Sequence, residues 1–297
     1  MTYAPVILFV YARLAHTQRT IEALGKNLLA DKTDLIVYSD AAKDKSQEEA
    51  VAKVRHYLKT VDGFKSVRII EREKNWGLAN SILSGVSETL ASNSSVIVLE
   101  DDLVTSPYFL NFMNEGLVKY ETIEAVASIH GYVYPTINAH QPFFLRGSDC
   151  WGWATWERAW KTFNQNGLEL LEELEKKKLS SEFDFESSYP YTKMLKDQIA
   201  GKNNSWAVRW KASTFLNNQL VLYYHESLVQ NIGNDNTGTH SDTTDVFEVK
   251  LANTYNGIPE LIIEENKNIR KKFSEFYKST SPSFLQKVKA KLKSLRN

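Results

Sequence analysis

Val96-Ile97-Val98-Leu99 runs straight into Glu100-Asp101-Asp102-Leu103. Four apolar residues with no polar alternate read as a strand buried on both faces, as in a parallel sheet covered by helices. Three carboxylates at the end of such a strand repel one another and resist ionising unless a cation joins them. Two readings of the triplet stand at this point. It is an exposed acidic turn that caps a helix starting near Ser106-Pro107, or it is an oxygen-donor site for a hard divalent ion. Mg²⁺ and Mn²⁺ are such ions; they keep waters and take substrate phosphates as further ligands.

The sequence N-terminal to this strand repeats one pattern. Val6–Val10 (VILFV) is another continuous apolar run; Thr17 reads as the N-cap of a helix with Ile21, Leu24 and Leu28 on one face. Leu35–Tyr38 reads as a strand, Gln47–Leu58 as a helix, Val67–Ile70 as a strand and Leu78–Leu90 as a helix. Strand alternating with helix predicts an α/β fold with right-handed crossovers and a mostly parallel central sheet flanked by helices. Ligands of such sheets bind beyond the carboxyl ends of the strands. The residues found there are Tyr11-Ala12-Arg13, Ser39-Asp40, Lys74-Asn75-Trp76-Gly77 and Glu100-Asp101-Asp102. A cation, an amide and several carboxylates on one edge suit a phosphorylated ligand with a metal ion. No G-x-G-x-x-G and no G-x-x-x-x-G-K-[ST] loop is present, which argues against a dinucleotide dehydrogenase or a P-loop kinase.

The totals add exclusions. The chain has 297 residues, enough for one large α/β domain or two small ones. Lys plus Arg and Asp plus Glu both number 36, so no global charge points to nucleic acid. The single cysteine, Cys150, excludes an intramolecular disulfide and a multi-cysteine zinc site, and a reducing compartment fits best. The apolar run after Pro5 is too short for a signal peptide or a membrane span, so a cytoplasmic protein is expected. The middle is aromatic. Trp156 and Trp160, four apart, read as core; Trp151 and Trp153 flank Gly152, where backbone can approach a sugar, and Trp153 is the stronger candidate. His130 faces either an acceptor or the core. The tail Ser283–Asn297 carries five basic residues, no acid and a one-sided apolar pattern; it reads as a helix on an anionic membrane surface or as a solvated tail.

Taken together, these stretches resemble a GT-A fold glycosyltransferase, in particular the N-acetylglucosaminyltransferase I family and its bacterial relatives. The resemblance runs from about Pro5 to Ser241, through PVILFVYAR, IVYSD, EREKNWGLANSI, VIVLEDDL, FFLRGSDCWGWATW and NIGNDNTGTHS. It implies a Rossmann-like nucleotide-diphospho-sugar transferase fold over residues 1–278. A nucleotide-sugar-binding half would span 1–104 and an acceptor-binding half 105–278, with 279–297 a basic amphipathic tail. It implies an inverting transferase that uses Mn²⁺ or Mg²⁺ and, by analogy, a UDP-sugar, in bacterial surface polysaccharide or glycan assembly. Asp102 would hold the metal, Asp101 the ribose and Glu100 the transferred sugar. Arg13 would meet the diphosphate, Asp40 the uracil and Asn75 the base segment, while His240 would lie on a loop closing over the diphosphate.

One departure concerns the general base. Relatives carry an aspartate beside the tryptophan of the segment here reading SWAVRW, where this chain has Asn204 and Ala207. An amide does not act as a base at neutral pH, so Asp149 is the first candidate and Asp197 the second. Two rivals remain: a metal-dependent nucleotidyltransferase, and a sugar-nucleotide-binding module without turnover.

Overall fold

The computed structural model describes residues 3–235 and 244–280. The four apolar runs of the N-terminal half pair side by side. β1 (Val6–Val10), β2 (Asp34–Ser39), β3 (Ser66–Glu71) and β4 (Ser95–Glu100) are parallel, in spatial order β3-β2-β1-β4. Helices α1 (Leu14–Gly25), α2 (Glu48–Leu58) and α3 (Gly77–Leu90) connect them. The first two crossovers step outward from β1, and the third returns across β1 to its other side. With right-handed connections this puts α3 on the face opposite α1 and α2. Strand order therefore reverses between β1 and β4, and the turns leaving those two strands open a crevice at the carboxyl edge.

The chain continues through β5 (Leu103–Thr105), α4 (Phe109–Lys119), β6 (Val126–His130), β7 (Phe143–Arg146), β8 (Trp153–Trp156) and α5 (Glu157–Trp160). Then come α6 (Gly167–Lys176), α7 (Ser180–Phe183), α8 (Tyr191–Ile199), α9 (Trp206–Leu216), β9 (Leu220–Tyr223), β10 (Val229–Asn231) and α10 (Lys267–Thr280). The full sheet has order β3-β2-β1-β4-β8-β6-β9-β7, with only β8 and β7 running against the rest. β4 pairs with β8, so residues before and after position 104 share one sheet. The expected α/β fold with a mostly parallel sheet flanked by helices is the observed one.

Three local expectations are corrected. Thr17 is not an N-cap: α1 starts at Leu14, directly after β1, with Arg13 in the capping position. Thr17 is buried inside the helix, and its hydroxyl donates to the Arg13 carbonyl at 2.9 Å. Leu28 lies past the helix end and is 59% exposed. The acidic triplet does not cap a helix either, because β5 intervenes and α4 begins only at Phe109.

β5 pairs antiparallel with β10, and Leu103 sits opposite Asn231. This ribbon carries residues 231–235 back over the end of β4. One apolar cluster joins both faces of the sheet through β1, β2, β4, β6 and β8. A second lies between α6, α8, α9, α10 and the β7–β9 edge. No helix among the described residues is long and apolar enough to cross a membrane.

Candidate functional site

The sheet delivers the acidic triplet and Arg13 to adjacent positions because β4 and β1 are neighbours, with Phe9 opposite Glu100. The Arg13 guanidinium lies between two carboxylates. Its Nη2 donates to Asp101 Oδ1 and, at 2.7 Å, to Asp102 Oδ2. Thr20, two turns along the same helix, donates its hydroxyl to the Asp101 carbonyl at 2.9 Å. The β10 side closes on the same group: Ile232 N–H donates to the Asp102 carbonyl at 2.9 Å, and His16 Nε2 lies 3.1 Å from Asp235 Oδ2. Burial, then the charges of Asp102 and Asp101, push the Glu100 carboxyl up to about 8. Burial likewise pushes Asp101 up, to about 6, against the pull of Arg13. One guanidinium does not satisfy three acids, so the site holds a standing demand for positive charge.

The adjoining edge forms a second subsite. Asp40 accepts from the N–H groups of Ala41, Trp76 and Gly77 at 2.9, 2.9 and 2.8 Å, and from Asn75 Nδ2 at 3.2 Å. Its acceptor positions are thus filled by the chain itself. Asp40 and Asn75 are brought together, as expected, but Asp40 fixes the 74–77 loop rather than offering a free carboxylate to a base. Arg72 stacks on Trp76, with its guanidinium carbon 4.1 Å from the ring centroid.

The third component is the turn leading into β8. Because Val98 pairs with Trp153 in antiparallel register, the residues before Trp153 pass beyond the end of β4. Asp149 is therefore carried to the carboxyl edge, and its Oδ1 accepts from Cys150 N–H at 3.0 Å. The Cys150 thiol is pushed well up by burial, then by the charges of Asp149 and Glu100. Behind it lies Lys211, buried and over the ring of Tyr191 at 4.8 Å. Burial lowers the Lys211 pKa against the pull of Asp149.

Other expected site residues lie elsewhere. Trp153 is 1% exposed and stacks on Trp206 at 5.4 Å, with Trp160 and Trp210 around it. It is core, because its position in β8 turns the ring toward α9 rather than toward the edge where Gly152 lies. Truncation to Trp153→Ala is expected to cost about 3–5 kcal/mol. A melt should then show a Tm lower by roughly 10 °C. Asp197 sits on the solvent side of α8, paired with Lys193 and Lys202, and does not join the acidic group. The reason is simple: α8 packs against α6, α7 and α9 rather than against the sheet edge. His240 and the tail after Thr280 lie outside the described residues.

His130 belongs to the core rather than to an acceptor face. It is 1% exposed; its Nε2 accepts from Trp151 N–H at 3.0 Å, which leaves Nδ1 to carry the proton and donate to the Tyr132 carbonyl at 2.9 Å. Burial pushes it down to about 4, against the pull of Asp149. The unfolded chain takes up this proton first as pH falls, near the ordinary histidine value of about 6.5. Stability is therefore expected to drop as pH falls from about 6.5 to about 4, by on the order of 3 kcal/mol from this residue. Denaturant titrations at several pH values should show that loss, and His130→Gln should flatten it.

Sequence reading missed Gly233, His16 and Thr20. A Cβ on Gly233 would overlap the Asp102 carboxylate and stand 3.2 Å from Arg13 Nη1, so the backbone there must be bare. His16 and Thr20 had a legible signal: with Arg13 they fall three and four residues apart, on one side of α1.

No three His, Cys, Asp or Glu side chains among the described residues converge as a self-contained metal cage. Asp102 Oδ1 receives no hydrogen bond from a described residue, and the acids beside it, Glu100 and Asp101, offer oxygens only. This set fits an ion that takes one carboxylate from the chain and completes its shell with waters and phosphate oxygens, the habit of Mg²⁺ and its relatives.

Residues 6–170 match glycosyl transferase family 2. A search of curated proteins gives no match. Among solved structures, the mannosyltransferase PcManGT of Pyrobaculum calidifontis, in complex with GDP-Man and Mn²⁺, is 17% identical. That match covers 58% of this chain and 47% of that one, with a TM-score of 0.35. TarS of S. aureus is 13% identical over 47% of this chain and 24% of its own, with a TM-score of 0.32. The chain thus spans less than half of the length of either.

Proposed function

This chain belongs to glycosyl transferase family 2; on that premise we propose that it is a glycosyltransferase, inverting and metal-dependent. The donor is a nucleoside diphosphate sugar, by sequence resemblance a UDP-sugar, and the acceptor a hydroxyl of a glycan or lipid-linked glycan. The observation that carries this reading is the meeting of Arg13, Asp101 and Asp102 at the point where strand order reverses, with the Asp149 turn passing over the same edge. Asp102 would hold Mn²⁺ or Mg²⁺. Such an ion supplies positive charge to the departing diphosphate.

The chain's own residues do the rest. Arg13 and the open N-terminus of α1 meet phosphate oxygens, because helix N–H groups and a guanidinium both attract anions. The 74–77 loop, fixed by Asp40, receives the base, and Trp76 offers it a flat face. Asp101 and Glu100 accept from ribose and sugar hydroxyls. Asp149 takes the proton of the acceptor hydroxyl as its oxygen bonds to the anomeric carbon and the bond to the diphosphate breaks. The turn bearing Asp149 comes from residues 105–278, so that half presents the acceptor while residues 1–104 hold the donor. The basic segment after residue 279 gives the chain a means of resting on the anionic inner face of a cell membrane.

Incubation of the protein with UDP-sugars and Mn²⁺, without acceptor, tests the reaction class. Slow release of UDP is the expected result. Release of pyrophosphate would make the protein a nucleotidyltransferase. If no product formed with any donor, a binding module would replace an enzyme.

A further inference from the structure

The Arg13 guanidinium stands where a cation would serve Asp101 and Asp102, and it is incompletely satisfied there. Its Nη2 is shared between the two acids, and its Nε reaches Asp101 Oδ2 only at 3.4 Å. Its Nη1 is buried and has no hydrogen-bond partner among the described residues. A buried donor without an acceptor marks where an acceptor belongs. The N-terminus of α1 beside it is likewise without a side-chain cap. Both features belong to the turn at Arg13, next to carboxylates already engaged by a positive charge.

We infer that Arg13 is an exchangeable counter-ion: it neutralises Asp101 and Asp102 in the empty protein and passes to the diphosphate when a divalent ion takes its place at Asp102. The inference rests on the proposed metal-dependent reading and adds a rule of binding order to it. Charge balance explains why. A divalent ion arriving alone must either crowd the guanidinium or expel it with no new partner. A diphosphate arriving alone must draw Arg13 from two acids and leave them unpaired. Arriving together, the ion satisfies the acids and the phosphates satisfy Arg13. Ion and nucleotide therefore bind with strong positive coupling, and by linkage each raises the affinity of the other by the same factor. Gly233, whose backbone faces both Asp102 and Arg13 Nη1, leaves room for the guanidinium at the acids but none for a side chain.

The test is calorimetry on the full chain with Mn²⁺ alone, with UDP or GDP alone, and with both, for wild type, Arg13→Gln and Arg13→Lys. Wild type is expected to bind Mn²⁺ at least a hundredfold tighter when the nucleotide is present. Arg13→Gln should bind Mn²⁺ alone about tenfold tighter than wild type and the nucleotide with Mn²⁺ about tenfold weaker, so the coupling collapses. Arg13→Lys keeps the charge but loses the fork that spans both acids, and should fall between the two. It also serves if the glutamine variant fails to fold. A merely structural role for Arg13 would weaken both affinities together, and that result overturns the exchange. If Mn²⁺ alone binds the variants no tighter than wild type while wild type still takes nucleotide with Mn²⁺, the exchange fails and the proposed function stands. If wild type shows no Mn²⁺-dependent affinity for either nucleotide, the proposed function fails and takes the exchange with it.

Discussion

Asp102→Asn is expected to lower Mn²⁺-dependent UDP affinity by a hundredfold or more and glycosyl transfer by about 10³, the loss of several kcal/mol of charge stabilisation on the leaving group. The amide keeps the shape of the side chain but removes a carboxylate whose Oδ1 receives no hydrogen bond from a described residue. The fold should survive, because Arg13 keeps its pairing with Asp101, and Ile232 still donates to the backbone carbonyl of residue 102. A melting curve near that of wild type, together with lost nucleotide affinity, would place the effect at the ion. If nucleotide affinity in Mn²⁺ remained within threefold of wild type, the role given to the triplet would be wrong.

Asp149→Asn should act on the other side of the reaction. It is expected to reduce turnover about 10²- to 10⁴-fold, the usual range for removing a general base. Donor affinity should stay within about threefold, because in the proposed reaction Asp149 serves the acceptor and, among the described residues, it forms no hydrogen bond or ion pair with Arg13 or Asp102. The control is Asp197→Asn. That carboxylate is held by Lys193 and Lys202 on the outside of α8, so its removal should leave kcat and KM unchanged. Equal losses in both variants, or retained turnover in Asp149→Asn, would move the base to another residue.

The contrast between these two aspartates shows where sequence reading is strong and where it stops. Both are carboxylates that the sequence offers, Asp149 first and Asp197 second, in place of the aspartate missing beside Trp206. Nothing local distinguishes them. Antiparallel pairing of β8 with β4 carries Asp149 to the site edge, and the packing of α8 on α6 and α9 carries Asp197 away. Trp153 repeats the lesson. Its glycine neighbour suggested access to a ligand, yet strand alternation points Trp153 into a cluster with Trp160, Trp206 and Trp210. An aromatic run near a glycine is compatible with either face of a strand, and only the register of its partner chooses.

The sequence by itself determined the α/β class, the four parallel strands and the edge on which Arg13, Asp40, Asn75 and the acidic triplet gather. These follow from continuous apolar runs of strand length alternating with helical periodicity, a local signal that one chain carries in full. Only the tertiary structure decided that Arg13 bridges Asp101 and Asp102, that Asp40 is consumed by its own loop, and that Gly233 and His16 close over the site. Those contacts join residues that lie 36 to 89 positions apart, and farther apart still across to β10. They exist because β1 and β4 are neighbours in space though not in sequence, a fact that periodicity along the chain does not encode.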